Sequence, residues 1–296
     1  VINLGASLCT AVAVLAWPAC LAAQRVLDLP MRSRPGADAL AAGAIAVFWN
    51  PGAIGVPAGR GEVVVLDVRG PPATSLDGLG VAGAIRLDER TSLGAGYQHI
   101  GIDDIEQTDD SPLPSDGTAA LDISEHVLSL ALVRMLGETL AVGAGAQYTQ
   151  TADIVSDDDV VALTAGFHAT ASLPAALLAT VAAGARVEET GTDWFAGAAA
   201  ERMLGPAGEW LASVEYGVTG SGRYRGVAHR AALGGGWREY VRMAAGVAGE
   251  PGAEGHTWKP VLGLGLRFSR YGLGVLREDM PNDLGAVYSF HLGVTF

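Results

Sequence analysis

The sequence predicts an all-β protein: a closed antiparallel transmembrane β-barrel of about fourteen strands, with a short N-terminal hatch segment inside the lumen. Three observations predict it. At the C-terminus, Tyr288, Phe290, Leu292, Val294 and Phe296 are large and apolar, and Ser289, His291, Gly293 and Thr295 between them are small or polar. That period of two describes a strand with one face for lipid and one for a wet or protein-filled lumen. The same alternation recurs back to about residue 60. Mean hydropathy is +0.29 with 41 glycines, which suits a wall with one face in lipid and small residues packed inside.

Residues 1–23 carry no charge. Leu8 to Leu15 is a short apolar run, Pro18 breaks it, and Leu21-Ala22-Ala23 before Gln24 has the small residues of a cleavage site. We read 1–23 as a secretory signal peptide, although the usual positive start is missing. Both cysteines, Cys9 and Cys20, fall within it. The mature chain would then have none, which excludes a disulfide framework, a thiol nucleophile and a Cys-ligated metal. No metal and no cofactor is expected. Net charge is −13, and Lys259 is the one lysine beside the arginines. No basic patch offers itself to nucleic acid.

From residue 60 the expected strands are 61–70, 78–88, 91–100, 120–134, 138–150, 160–173, 176–189, 193–203, 208–218, 224–237, 239–249, 257–268, 270–280 and 284–296. Val160 to Arg186 is long and apolar enough to suggest a helix across a membrane. Its alternation argues for two strands instead. Val161, Leu163, Ala165 and Phe167 share one parity, Ala162, Thr164, Gly166 and His168 the other, and Pro174 sits where a hairpin turns. An even strand number is what a single-chain barrel requires. The connections alternate as well. Short ones, such as Glu89-Arg90, Arg238 and Ser269, read as periplasmic turns, and longer ones, such as 71–77, 101–119 and 151–159, as external loops. Aromatics would then form two girdles. Tyr97, Tyr148, Trp194, Phe195, Trp258 and Tyr288 fall near the outer interface; Trp210, Trp237, Tyr240, Phe268, Tyr271 and Phe296 fall near the inner one. The external loops are acidic, with Asp103, Asp104, Glu106, Asp109, Asp110 and Asp116 in one and Asp153, Asp157, Asp158 and Asp159 in another. They lack the ligand spacing of a calcium loop and read as solvated charge.

Residues 24–59 are not strand-like. The run from Gly36 to Ile45 is dominated by small residues and leads to Phe48-Trp49-Asn50-Pro51-Gly52. It suits a small-residue helix followed by a turn, compact enough for a narrow lumen. Here the chain resembles the FadL-type and PorV/PorQ-type outer-membrane barrels, which have a Gly-Ala-rich hatch stretch and then a Trp/Tyr-Asn-Pro-Ala motif. Gly36, Gly43, Trp49, Asn50 and Pro51 carry the match. Gly52 stands where those families have alanine, and the spacer between the two parts is short. The resemblance implies a fourteen-stranded barrel of the bacterial outer membrane, with 24–59 as hatch or plug and 60–296 as barrel. It also implies that the strand ending in Phe296, with Tyr288, Phe290, Leu292 and Val294, is the signal read by the barrel-assembly machinery.

The function it implies is passive passage of hydrophobic or amphipathic small molecules of the long-chain fatty-acid kind. The alternatives are a PorV-like secretion-associated barrel that docks a protein partner, and a purely structural protein. The expected partners are outer-membrane lipid, the assembly machinery and a hydrophobic small-molecule ligand. Polar residues expected to face the lumen are Arg86, Gln98, Gln147, His168, Arg186, Glu188, Arg230 and Arg267. The arginines suit a carboxylate headgroup, or pair with lumen acids and hold the hatch. The transport reading expects an apolar pocket under the external loops with its mouth near Trp194 or Trp258; the partner reading expects a filled lumen. No Gly-x-Ser-x-Gly or His-Glu-x-x-His accompanies the six histidines, so no enzyme is expected.

Overall fold

A computed structural model describes residues 31–55, 59–105, 121–152, 157–222, 226–252, 255–280 and 285–296. Residues 1–30, which hold the expected leader and the start of the expected hatch, and Glu106, Asp109, Asp110, Asp116 and Asp153 of the acidic loops lie outside them. Among the described residues no helix is long and apolar enough to cross a membrane; the crossing is made by strands.

Fourteen strands form one closed barrel, each bonded to its sequence neighbours and the first to the last. They are β1 (Gly61–Arg69), β2 (Leu76–Arg86), β3 (Thr91–Ile105), β4 (Leu121–Met135), β5 (Leu140–Ala152), β6 (Asp157–Leu173) and β7 (Leu177–Glu188), then β8 (Gly191–Leu204), β9 (Trp210–Ser221), β10 (Val227–Trp237), β11 (Val241–Gly252), β12 (Gly255–Phe268), β13 (Tyr271–Asp279) and β14 (Ala286–Thr295). All pairs are antiparallel, and closure runs from Glu62 opposite Thr295 to Arg69 opposite Tyr288. Closure leaves no open edge, which lipid requires of a sheet.

Every expected strand is present. Several run further at the external end than the alternation indicated. β3 continues to Ile105, β5 to Ala152, β9 to Ser221 and β11 to Gly252, so parts of the expected loops 101–119, 151–159, 219–223 and 250–256 are strand. These end segments carry polar residues such as Asp103 and Glu250, so the ladder persists past the stretch in which apolar residues alternate.

The wall separates two environments. Outward side chains are apolar and exposed: Val161 63%, Leu163 65%, Leu233 68%. Tyr288, Phe290, Leu292 and Phe296 face out with them. Inward neighbours are small or polar and buried, such as Ala82, Ser129, Ala162 and Thr164. The girdle aromatics lie outward, with one correction. Phe195 is buried and faces the lumen, packed with Ala37, Leu40 and Ala182, while Trp194 beside it lies outward across Gly220. The residues after Phe195 are small on both parities, so alternation there does not distinguish the faces.

One seam is shorter than its neighbour. β11 and β12 pair up to Gly252 and Gly255, whereas β12 and β13 pair only as far as Val261 opposite Glu278. Pro260, lacking an N–H, stands where the second ladder stops.

Candidate functional site

The lumen is occupied by the hatch. Residues 31–55 contain three short 3-10 turns, Asp38–Leu40, Ala44–Phe48 and Pro51–Ala53, in place of the expected small-residue helix. Gly43 has a left-handed φ of 78°, and Pro51 cannot donate a helical bond, so the path breaks at both. Almost every apolar hatch side chain is buried. Val47, Phe48 and Ile54 pack with β1–β5 residues such as Leu66, Val68, Ala82 and Ala131.

Asn50 is the central anchor, with no exposed surface. Its amide donates to the Ala39 carbonyl at 2.9 Å and to the Phe167 carbonyl of β6 at 3.0 Å. Its Oδ1 accepts from the Gly52 N–H at 3.0 Å. Gly52 passes so close to the wall that an added Cβ would lie 2.6 Å from Phe167 Cα. This gives a physical reason for glycine where the similar families have alanine.

Other expected site residues fall as follows. Gln147 is buried and donates to the Phe48 carbonyl at 2.9 Å, binding hatch to β5. Gln98 is buried, with Oε1 unsatisfied. His168 faces inward and is half-buried. Arg186 pairs with Asp193 and lies 3.4 Å from Glu188, all within the wall of β7 and β8. Arg86 and Arg267 are exposed at the periplasmic end on the inward parity, and Arg267 is within electrostatic reach of Glu62. Glu62 accepts from the Ala44 N–H at 2.6 Å, next to Gly43. Trp49 is half-buried, with the Arg32 guanidinium 5.4 Å above its ring. Gly36 lies against the Glu215 carboxylate, which pairs with Arg34.

Arg230 belongs to a buried ion cluster that single-residue inspection did not assemble. It donates to Glu278 and approaches Asp38 at 4.0 Å. Arg32 of the hatch donates to Asp38 at 2.9 Å and lies 3.7 Å from Glu278. Lys259 pairs with Glu250 alongside. Three cations thus face three carboxylates. Burial opposes the charge on Arg32, but the Asp38 and Glu278 carboxylates outweigh it and hold its pKa above the ordinary value. The usable sequence signal was an acid, Glu278, on an inward parity otherwise made of Gly272, Gly274 and Leu276.

Above this cluster, toward the external end, is a cavity of about 50 Å³. Met31, Val68, Leu76, Ile100 and Leu276 give it apolar walls, and Arg32, Lys259, Glu250 and Glu278 give it a charged side. Its position corrects one expectation. The cavity lies against β1–β3 and β11–β14, not beside Trp194 or Trp258, whose rings face outward. Among the described residues no group of three or more His, Cys, Asp and Glu side chains is arranged to hold a metal.

The closed wall, the outward apolar band and the plugged lumen define an outer-membrane β-barrel of the bacterial type. Its fold is that of FadL-type channels. The chain is similar to the toluene transporter TbuX of Ralstonia pickettii at 11% identity and a TM-score of 0.57, over 92% of this chain and 100% of that one. A TodX deltaS2S3 mutant, a monoaromatic hydrocarbon channel, is similar at 11% identity and a TM-score of 0.55, over 92% and 97%. A FadL homologue of Pseudomonas aeruginosa is similar at 12% identity and a TM-score of 0.52, over 90% and 99%. No family model and no curated protein matches the sequence.

Proposed function

We propose that the protein lets hydrophobic or amphipathic small molecules, of the long-chain fatty-acid kind, cross the outer membrane passively, and that the hatch is the plug that regulates passage. Residues 24–59 are taken as the hatch and 60–296 as the barrel, delivered by the leader at 1–23. The observation that carries the reading is the apolar cavity at the external end, bordered by Arg32 and Lys259 and floored by the hatch. Its apolar walls suit a hydrocarbon; Arg32 and Lys259, now paired with Asp38, Glu278 and Glu250, would exchange a carboxylate partner for an anionic head as it enters. At about 50 Å³ it is far below the roughly 300 Å³ of a small-ligand pocket, so this is a closed state and loading requires Met31 and the hatch to shift. The names of TbuX and TodX, a toluene transporter and a monoaromatic hydrocarbon channel, agree with an apolar solute.

The test is uptake of a fluorescent long-chain fatty acid into liposomes holding the full chain. Faster uptake than in protein-free liposomes, increased again when the hatch is loosened by Asn50→Ala, is the expected result. Uptake equal to the protein-free rate with both proteins refutes it.

One observation favours a second reading. The lumen is largely filled, as suits a PorV-like barrel whose external loops dock a secreted protein. A protein partner that co-purifies with the barrel and protects its external loops from proteolysis, together with absence of uptake, would favour that reading.

A further inference from the structure

The outer face of β10–β14 carries an open depression of about 560 Å³. Its upper row follows the ladder from strand to strand: Leu233 opposite Ala245, Ala245 opposite Leu262, Leu262 opposite Arg277, and Arg277 opposite Tyr288. At a spacing of about 4.8 Å per strand the row is about 19 Å long. Leu233, Met243, Leu262 and Leu264 form exposed apolar sides, and Ala245 leaves the floor low.

One end of this apolar groove is charged. Arg277 points outward, 45% exposed, one alternation below Asp279 at the external end of β13. A guanidinium on the lipid face is costly toward the bilayer centre and tolerated near the interface. Asp279 is the nearest acid, with Oδ1 at 2.9 Å from Arg277 Nη2, yet that oxygen accepts no hydrogen bond in this geometry. The contact is an unaligned ion pair to a shielded carboxylate oxygen, made by Nη2 of a guanidinium that is itself 45% exposed. The guanidinium fork therefore remains suited to bidentate contact with a phosphate at headgroup level. Tyr288, 40% exposed on the neighbouring strand, adds a hydroxyl at the same level.

We propose that this groove is a binding site for one molecule of the phosphorylated glycolipid of the outer leaflet, lipid A. Its phosphate lies on Arg277 and Tyr288, and one acyl chain lies across β10–β13. The outer leaflet is selected because the cation stands at the external end of the wall. The site is on the face opposite the lumen and does not depend on the transport reading.

Native mass spectrometry of the full chain in mild detergent, with bisphosphorylated lipid A or phosphatidylglycerol added at equal concentration, tests it. The expected result is one retained lipid A, preferred over phosphatidylglycerol. Arg277→Ala lowers its occupancy about tenfold or more, as loss of a charge-assisted contact predicts. Ala245→Trp, which fills the floor, lowers it as well. Heat-resistant migration of the folded barrel on a detergent gel controls for folding, and Arg277→Gln replaces Arg277→Ala if the latter does not fold. Equal occupancy in the wild type and the Arg277 variant, unchanged occupancy in Ala245→Trp, or equal retention of phosphatidylglycerol would each overturn the proposal.

Discussion

Replacing Asn50 by alanine removes three hydrogen bonds at once: two donated by Nδ2, to the Ala39 and Phe167 carbonyls at 2.9 and 3.0 Å, and one accepted by Oδ1 from Gly52 at 3.0 Å. Water does not reach the site to replace them, because Asn50 has no exposed surface. At about 1 kcal/mol net each, hatch docking weakens by roughly 3 kcal/mol. That raises the undocked population by about two orders of magnitude. The barrel ladder, which contains none of these bonds, keeps its stability. Hydrogen exchange followed by mass spectrometry reads the two parts separately: amides of residues 31–55 exchange about a hundredfold faster in Asn50→Ala, and amides of β6 and β7 do not change. Equal protection of the hatch in both proteins would refute the reasoning, since Asn50 would then not be its anchor.

Gly52→Ala is expected to loosen the hatch by about 1–3 kcal/mol, because backbone at Phe167 and Gly166 cannot withdraw from the new Cβ; limited proteolysis within 31–55 would report it. In the turn between β6 and β7, Ala175 and Ala176 have left-handed φ values of 64° and 55°. The double change Ala175→Asn, Ala176→Gly should stabilise the barrel by about 1–2 kcal/mol, read as a later loss of heat-resistant migration in detergent. In the turn between β2 and β3, Asp88 accepts from the Arg90 and Thr91 N–H groups at 2.7 and 2.8 Å, and the Arg90 bond leads the causes that hold its carboxyl below the ordinary value. Its contribution to the turn is present above the unfolded-state pKa and is lost as pH falls through the lowered folded value. Asp88→Asn should therefore flatten the acid limb of local exchange at Arg90 and Thr91.

The strands were legible because lipid enforces the period of two over their whole apolar span, as from Tyr288 to Phe296. Where polar residues end the apolar alternation, at Asp103 or Glu250, the signal stops before the ladder does and the boundaries were placed too early. Phe195 was misplaced for a related reason: with alanine and glycine following on both parities, only the hatch residues Ala37 and Leu40 determine which way the ring turns. The hatch was recognisable by composition, but its turns were not, since they depend on contacts to distant strands, such as Asn50 to Phe167. The ion cluster was least legible. Arg32 and Asp38 of the hatch are far in sequence from Arg230 and Glu278 of the wall, and only barrel closure brings the two pairs together.

Closure has a further consequence for the order of events in folding. The wall becomes continuous only when β1 meets β14, the pairing of greatest sequence separation in the barrel. Such contacts form late, because the intervening chain must be ordered before they are rewarded. Yet the segment enclosed by the wall, residues 31–55, precedes β1 in the chain and is bound by side chains from β5, β8, β9, β10 and β13 and by the Phe167 carbonyl of β6. The hatch must therefore lie on the concave face of the growing sheet before the last pair zips. Phe296, whose carbonyl accepts from the N–H groups of Arg60 and Gly61, completes the wall and seals in the plug in one step.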